Sequence, residues 1–335
     1  MGASRFLEIA DIVADVHLVG GVILNGLLIY VIRRFSKASV GTYKNLLLVF
    51  AAFDIFLCIL HFVAKPGAII VGTTFGCVTD TPLESRAITT FYCACFTIPF
   101  ALMNIHFLYR FWSIRRPYLI ARFSDKKFVA LIAMLPISEF VIWYLLVYYG
   151  LTGGVNEWGT MTLSREYEKK YGKLLRDGWI EHGFNLRIFL AMLAFDAIMI
   201  MSFTIAITLG SLTFYHIKKA DKISTQAHAL QWKLFIAVCA QTFVPTLFVY
   251  IPYFCIINFP FFDLPLYFVD DAWMRMTACF PAWDAVIIVA LIRDYRVGLA
   301  SMFMRKKKVM MPMEMTWKTV SSMAAVSTTA VETQV

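Results

Sequence analysis

The stretch that decides the fold is residues 188–214, IFLAMLAFDAIMIMSFTIAITLGSLTF, in which Asp196 is the single ionisable side chain. About 20 such residues in a helix cross the roughly 30 Å hydrocarbon core of a bilayer. Together with six further apolar runs it gives seven predicted spans, at 13–32, 46–64, 88–109, 128–149, 188–214, 234–257 and 272–292. None alternates in polarity as the strands of a membrane barrel do. The sequence therefore predicts an all-α membrane protein, a seven-transmembrane helix bundle.

The overall composition agrees with a membrane protein. Of 335 residues, 60% are hydrophobic and only 16% are charged, whereas a soluble domain has about 25% charged residues. We predict one membrane domain over residues 1–304 and a short, disordered tail over 305–335. The net charge of +9 is attributed to membrane orientation and to contact with anionic lipid, and not to nucleic-acid binding.

Lysine and arginine are distributed unevenly over the predicted connections. Those after the first, third and fifth spans hold 14 of these residues, and those around the second and sixth connections hold three. Because basic residues concentrate on the cytoplasmic side, the N-terminus is expected outside and the C-terminus in the cytoplasm of a multi-pass plasma-membrane protein. The alternatives are a seven-span ligand-gated channel, which the orientation opposes, and a transporter, which would show internal repeats.

Motifs for catalysis, nucleotide binding and zinc binding do not occur in this sequence. It has no glycine-rich phosphate loop, no His-Glu-x-x-His and no Gly-x-Ser-x-Gly. The six histidines are scattered, and Cys93-x-Cys95 has no second cysteine pair to complete a zinc site. We therefore predict neither an enzyme nor a bound cofactor or metal. Cys77, Cys93 and Cys95 all fall near the outer side, so a disulfide from Cys77 to either of the others is left open.

Three polar side chains are predicted to share one depth in the membrane. Asn25 lies eight residues before Arg33, Asp54 eight after the start of the second span at residue 46, and Asp284 nine before Arg293. At about 1.5 Å per residue, all three are about 12 to 14 Å into the bilayer from the cytoplasmic side. We expect a hydrogen-bonded cluster that holds the helices in register and rearranges on activation. Two carboxylates so close together also predict that one of them is protonated or paired.

A second set of polar and aromatic residues falls in the outer half of the predicted spans. Aromatic and apolar side chains with a few convergent polar groups are typical of a small-molecule pocket between helices. The candidate ligand-binding residues are His61, Tyr92, Cys95, Glu139, Asp196, Tyr250, Tyr253 and Arg275. The alternative is that Asp196 and Arg275 neutralise each other while the aromatic rings only pack.

The cytoplasmic ends of the spans show a different pattern. Tyr109 and Arg110 close the third span, with His106 one turn earlier, and Pro281 precedes Asp284 in the seventh. Pro245 and Pro252 interrupt the sixth, where a proline removes a helical hydrogen bond and provides a hinge.

Short motifs in order over residues 10–300 resemble those of the nematode Str-class (serpentine receptor class r) seven-transmembrane chemoreceptors. They are Gly41-Thr42-Tyr43-Lys44, Phe91-Tyr92-Cys93-Ala94-Cys95-Phe96, His106-Phe107-Leu108-Tyr109-Arg110-Phe111, Leu230-Gln231, Leu234-Phe235, Gln241-Thr242, Pro245-Thr246, Tyr250, Pro260-Phe261-Phe262-Asp263, Pro281-Ala282-Trp283-Asp284 and Ile292-Arg293-Asp294-Tyr295-Arg296.

The resemblance implies a G-protein-coupled receptor of rhodopsin-like architecture that detects odorants or other environmental small molecules in ciliated sensory neurons. It implies that Tyr109, Arg110 and Arg296 face the G protein, and that Pro281-x-x-Asp284 stands in for the proline motif of the seventh span. Leu108 departs from the acidic residue usual before the Tyr-Arg pair. Arg110 therefore has no adjacent carboxylate to hold it.

The chain beyond the seventh predicted span contains three candidate elements. Residues 294–304 mix apolar and basic residues as a short amphipathic helix 8 at the membrane surface would, followed by the basic run 305–308. Serines and threonines over 316–329 are candidate phosphorylation sites for an arrestin-like partner. The terminal Thr333-Gln334-Val335 resembles a ligand of PDZ domains.

Overall fold

The computed structural model describes residues 2–36, 41–71, 74–79, 86–151, 157–172, 180–182, 185–219, 225–262, 264 and 274–303. Residues 1–298 form one compact unit. A second unit begins at Leu299, and the structure describes it as far as Phe303, as the end of a helix. The basic run 305–308, the candidate phosphorylation sites and the C-terminal PDZ-like motif lie outside the described residues.

Seven helices in the described part are long and apolar enough to cross a membrane, which is the predicted number. Spans 1 to 7 are Ile12–Phe35, Tyr43–Ala64, Arg86–Arg115, Lys126–Leu151, Leu186–Lys218, His228–Asn258 and Met274–Leu291. Several of them extend beyond the predicted apolar runs into basic residues, because lysine and arginine can keep their stems on apolar surface and their charges in water. The chain is mostly helical, as predicted.

Three of the spans are irregular where they pass through the bundle. Span 3 is broken at Phe96 and Thr97, between the helices Arg86–Cys95 and Ile98–Arg115. Span 4 ends in a π-helical segment, Leu146–Leu151. Span 6 contains a second, Thr246–Tyr250, which lies between Pro245 and Pro252. π-Helical segments of this kind are often found at functional sites.

A three-stranded antiparallel sheet closes one end of the bundle, and we did not predict it. Strands β1 (Pro66–Val71) and β2 (Thr74–Thr79) join spans 2 and 3, and β3 (Ile180–His182) comes from the connection between spans 4 and 5. The strand order is β1-β2-β3. Ile70 pairs with Phe75, and Cys77 pairs with Ile180. We call this the sheet end of the bundle and the opposite end, which carries Arg110, the basic end.

The two faces of the sheet contact different partners. Because side chains alternate along a strand, Ala68, Ile70, Phe75 and Cys77 join the core of the bundle. The other face packs against a loop helix, Glu157–Tyr171, through one small cluster. Its buried members are Ile69, Val78, Leu163 and Tyr167. The sheet is therefore buried between the helix bundle and the loop helix.

A C-terminal helix, Arg293–Phe303, follows span 7 at the basic end, where we predicted an amphipathic helix 8. The Tyr295 hydroxyl is fully buried and lies 2.8 Å from Ser36 Oγ, just after span 1. Gly298 packs so closely on the Phe35 ring that a Cβ atom there would lie 2.5 Å from it. The start of this helix is therefore fixed against the end of span 1.

Candidate functional site

A cavity lies inside the bundle directly beneath the sheet. A water-sized sphere finds about 30 Å³ of free volume in it, which is more than the roughly 10 to 15 Å³ that one water molecule needs. Spans 3 to 7 and strand β2 all contribute to its wall. The lining residues are Phe75, Cys77, Cys93, Trp143, Val147, Leu151, Phe195, Tyr253, Ile256, Ile257 and Met274.

One of the lining residues, Trp143, carries a hydrogen-bond donor that has no partner within the described protein. Trp143 is buried, and its Nε1 lacks a hydrogen-bond acceptor there. A buried donor left unsatisfied costs about 1 to 3 kcal/mol. The Tyr253 hydroxyl forms a side-chain hydrogen bond with Tyr92. The surface that the wall presents to the cavity is therefore apolar.

The two cysteines of the cavity wall are in contact with each other. Cys77 on β2 forms a side-chain hydrogen bond with Cys93 of span 3, and this bond together with burial raises the pKa of the Cys77 thiol well above its usual value. All seven cysteines are free thiols in the structure. Of the two pairings left open by the sequence, the structure therefore brings Cys77 to Cys93.

Most of the predicted ligand-binding residues lie beside the cavity and do not line it. Tyr253 alone among them belongs to its wall. Tyr250 is buried with its ring stacked on Phe100, and its hydroxyl has no hydrogen-bond partner within the described protein. Glu139 lies close enough for its charge to act on Tyr250. Whether a residue lines the cavity or lies beside it depends on how its helix is rotated about its own axis.

The polar members of the predicted set are mostly held by other side chains. The Tyr92 hydroxyl lies 2.8 Å from His61 Nδ1 and 3.5 Å from Thr277 Oγ1, which links spans 3, 2 and 7. Arg275 is near enough to His61 for its charge to act on the ring. Asp196 accepts a hydrogen bond of 3.1 Å from Asn258.

The aromatic rings beside the cavity centre on the break in span 3. Phe96 contacts the rings of His61, Tyr92, Tyr253 and Phe280. Cys95, the remaining predicted residue, is buried in the same core.

Nearer the basic end, the structure buries Asn25, Asp54 and Asp284 completely. Asn25 Nδ2 donates to the Pro281 carbonyl at 2.8 Å, and Gln241 Nε2 of span 6 donates to Asp284 at 3.3 Å. Both Asp54 oxygens and one oxygen of Asp284 lack a partner within the described protein. The three predicted residues thus share one polar layer, but none of these hydrogen bonds joins them directly. Gln241, which we did not select, joins span 6 to this layer.

Arg110 is also buried, and an aromatic ring holds it. Its guanidinium carbon lies 3.5 Å from the centre of the Tyr43 ring, a cation–π distance. Arg110 Nε and Nη2 have no hydrogen-bond partner among the described residues. The His106 ring meets Tyr43 edge-on, with its Nδ1 3.4 Å from the Tyr43 hydroxyl. Tyr43 belongs to the quoted Gly41-Thr42-Tyr43-Lys44 motif, which was the available signal for this contact.

The other two residues expected to face a G protein lie at the same end. The Tyr109 hydroxyl lies 3.0 Å from Thr42 Oγ1, and its ring meets Phe123 edge-on. Arg296 is exposed and donates from Nη1 to the Ala290 carbonyl at 2.6 Å, at the end of span 7.

Comparisons with known proteins identify the family. The model of the family described as serpentine type 7TM GPCR chemoreceptor Str matches residues 10–300. Serpentine receptor class r-10 of Caenorhabditis elegans is 26% identical over 325 residues, which cover 92% of this chain and 94% of the relative. Its Caenorhabditis briggsae namesake is 26% identical over 85% of this chain and 87% of its own length. G-protein coupled receptor str-217 of Caenorhabditis elegans is 24% identical over 82% and 84%. The chain therefore belongs to the Str family of serpentine seven-transmembrane GPCR chemoreceptors.

Proposed function

We propose that this receptor binds a small-molecule odorant in the cavity under the sheet and activates a heterotrimeric G protein at the basic end. The observation that carries the proposal is the course of span 6 through both regions. Tyr253, Ile256 and Ile257 of this span line the cavity, and Gln241 donates to Asp284 in the polar layer. The π-helical segment Thr246–Tyr250 lies between them.

In this mechanism a ligand and the G protein favour the same arrangement of span 6. A ligand against Tyr253 changes the preferred tilt of span 6 at the π-helical segment, which breaks the hydrogen bond from Gln241 to Asp284. Arg110 then leaves the Tyr43 ring and becomes available to the G protein. To shift the balance between the two arrangements from 1:99 to 99:1, the ligand must prefer the active one by about 5.5 kcal/mol.

The orientation and location follow from the distribution of basic residues. We place the N-terminus and the sheet end outside the cell and the basic end in the cytoplasm, against anionic inner-leaflet lipid. The receptor then lies in the plasma membrane of a sensory neuron, in its cilium. Arrestin-like and PDZ-domain partners are proposed for the tail, which lies outside the described residues.

The test is expression in cells with a promiscuous G protein, with surface receptor measured by an N-terminal epitope in unpermeabilised cells. We expect a panel of small volatile compounds to include agonists. We also expect Gln241→Leu to raise basal signalling, because it removes the amide that donates to Asp284. The exposed neighbour Cys239→Ser is the matched control. Surface receptor with neither an agonist response nor a Gln241→Leu effect would contradict the proposal.

A further inference from the structure

We propose that Cys77 and Cys93 are joined by a disulfide in the mature receptor, which ties strand β2 to span 3 in the wall of the cavity. The inference rests on the proposed orientation, because disulfides form and persist on the side of a membrane protein that faces the secretory lumen and then the outside of the cell. It adds a covalent modification that the proposed function does not require.

Strand β2 and the first helix of span 3 lie side by side in one register. Thr79 Oγ1 lies 2.9 Å from Thr89 Oγ1, and the side chains of Cys77 and Cys93 are in contact. Cys77 precedes Thr79 by two residues, about 6.8 Å along a strand. Cys93 follows Thr89 by four residues, about 6 Å along a helix. Because residues spaced in this way share one face of a strand or of a helix, both contacts belong to the same pair of facing surfaces.

The same register favours Cys93 over Cys95 as the partner of Cys77. Cys95 lies two residues further along the helix, which is about 200° around its axis. Cys77 and Cys93 both line the cavity, whereas Cys95 is not among its lining residues. A bond from Cys77 to Cys95 would therefore require the start of span 3 to rotate by about half a turn.

The bond forms by thiol–disulfide exchange with a disulfide-bearing oxidoreductase of the secretory pathway. The thiolate of one cysteine attacks the disulfide of the oxidant and releases one thiol, and the second cysteine then attacks the mixed disulfide and releases the other. Two thiols of the receptor are oxidised to one disulfide, and one disulfide of the oxidant is reduced to two thiols. The two protons that the cysteines lose are matched by the two that the oxidant takes up.

Burial determines when the bond forms and why it persists. Cys77 lies on the face of the sheet that joins the bundle core, and the loop helix packs on the opposite face. In the closed fold, the contact with Cys93 and burial raise the pKa of the Cys77 thiol, so little of the reactive thiolate is present. Oxidation therefore precedes the closure of the loop helix over the sheet, and a reductant reaches the finished bond slowly.

The experiment maps the thiols of the full-length receptor, isolated from the cell surface after biotinylation of intact cells. The cells are denatured directly in N-ethylmaleimide, which prevents later oxidation, and the protein is then reduced and labelled with deuterated N-ethylmaleimide. Trypsin cleaves after Arg86, between Cys77 and Cys93. Without reduction, a disulfide therefore keeps the two tryptic peptides together as one species.

We expect Cys77 and Cys93 to carry the deuterated label and the remaining cysteines to carry the light one. Cys93→Ser should convert Cys77 to the light label, and Cys95→Ser, the matched control on the same helix, should leave the bond intact. These variants should fold, because backbone hydrogen bonds still pair β2 with both neighbouring strands.

The melting temperature of the purified receptor gives a second measurement of the same bond. It should fall by several degrees in Cys77→Ser, in Cys93→Ser and in the double variant alike, because each removes the one bond that restrains the unfolded chain. Losses that add in the double variant would show that the two thiols only pack.

The remaining outcomes separate this inference from the proposed function. Light label on Cys77 and Cys93 in surface receptor would overturn the inference even if the receptor signals, and so would a bond from Cys77 to Cys95 or to a second copy of the chain. A bond between Cys77 and Cys93 in a receptor without any agonist response would support the inference and contradict the proposed function.

Discussion

The side chains around the cavity at the sheet end are almost all apolar and closely packed, and one hydrogen-bond donor, the Trp143 N–H, has no partner among the described residues. In the polar layer and at the basic end, a guanidinium and two carboxylates are buried, and most of their nitrogen and oxygen atoms have no partner among the described residues. Burying an unpaired charge is far more costly than burying a single amide or hydroxyl.

This difference in packing and polarity indicates that the sheet end is the more rigid region and that the basic end changes between receptor states. Close packing around the cavity resists small displacements, because side chains fit one another at nearly crystalline density. The buried ionisable groups nearer the basic end would gain partners if the helices separated and water or a protein reached them. Ligand selection is therefore expected to depend on the sheet end, and the change of state on the basic end.

The largest expected effect is that of Arg110→Ala at the basic end. Because Arg110 carries the buried charge of span 3, its removal should reduce the agonist response by more than about tenfold, within the usual range of couplings between sites. Surface expression should stay normal, as measured by an epitope tag. Arg115→Ala, at an exposed position of the same helix, is the control. Normal responses from Arg110→Ala would remove the basic end from the mechanism.

Next in size is Leu163→Ala, which weakens the packing of the loop helix on the sheet. Leu163 is buried against Ile69 and Val78, and truncation of a buried leucine costs about 2 to 5 kcal/mol. A looser sheet should speed ligand dissociation about tenfold or more and leave basal signalling unchanged. Met161→Ala, an exposed change on the same helix, should alter neither rate. Raised basal signalling in Leu163→Ala would mean that the sheet end also controls the change of state, which is assigned here to the basic end alone.

A smaller effect is expected from Tyr43→Leu, which removes the ring that holds Arg110. A cation–π contact contributes about 0.5 to 2 kcal/mol. Basal signalling should rise about twofold to thirtyfold, since 1.4 kcal/mol corresponds to a factor of ten. Tyr43→Phe retains the ring and loses only the contacts of the hydroxyl with His106 and Arg110, so its basal signalling should lie closer to wild type than that of Tyr43→Leu. A Phe variant as active as the Leu variant would show that the hydroxyl, and not the ring, holds the inactive arrangement.

The smallest effect concerns Gly298, where the C-terminal helix meets span 1. Gly298→Ala places a methyl group against the Phe35 ring, and such overpacking costs about 1 kcal/mol or somewhat more. The melting temperature of the purified receptor should fall by a few degrees. Gly20→Ala is the matched control, since a Cβ atom there meets nothing within 4 Å, and alanine should stabilise that helix slightly. A melting temperature unchanged by Gly298→Ala would mean that the C-terminal helix can shift to accommodate the methyl group without a loss of stability.

The seven spans could be predicted because each apolar run is longer and more hydrophobic than a helix of a soluble protein requires. The rise per residue also led us to expect Asn25, Asp54 and Asp284 at one depth. Their hydrogen-bond partners could not be predicted, because Asn25 donates to a backbone carbonyl and Asp284 accepts from Gln241. These contacts depend on how the helices are rotated about their own axes.

The cavity was harder to predict than the spans, for two physical reasons. Spans 3, 4 and 6 carry apolar residues on all sides, so polarity alone does not show which face of each points inward. For this reason the positions of Trp143 and Cys93 in the cavity wall could not be predicted. The strands are three to six residues long, and their pairing joins two connections that are about 100 residues apart. Hydropathy therefore gave no signal for Phe75 or Cys77 as part of the wall.

The pairing of β2 with β3 has a consequence for how such receptors can diverge. Backbone amides and carbonyls hold the strands together, and every amino acid except proline supplies both. The side chains at positions 75 and 77 can therefore be substituted while the backbone hydrogen bonds keep the sheet in place over the cavity. Ligand selectivity can then evolve at these two positions while the sheet continues to cover the cavity.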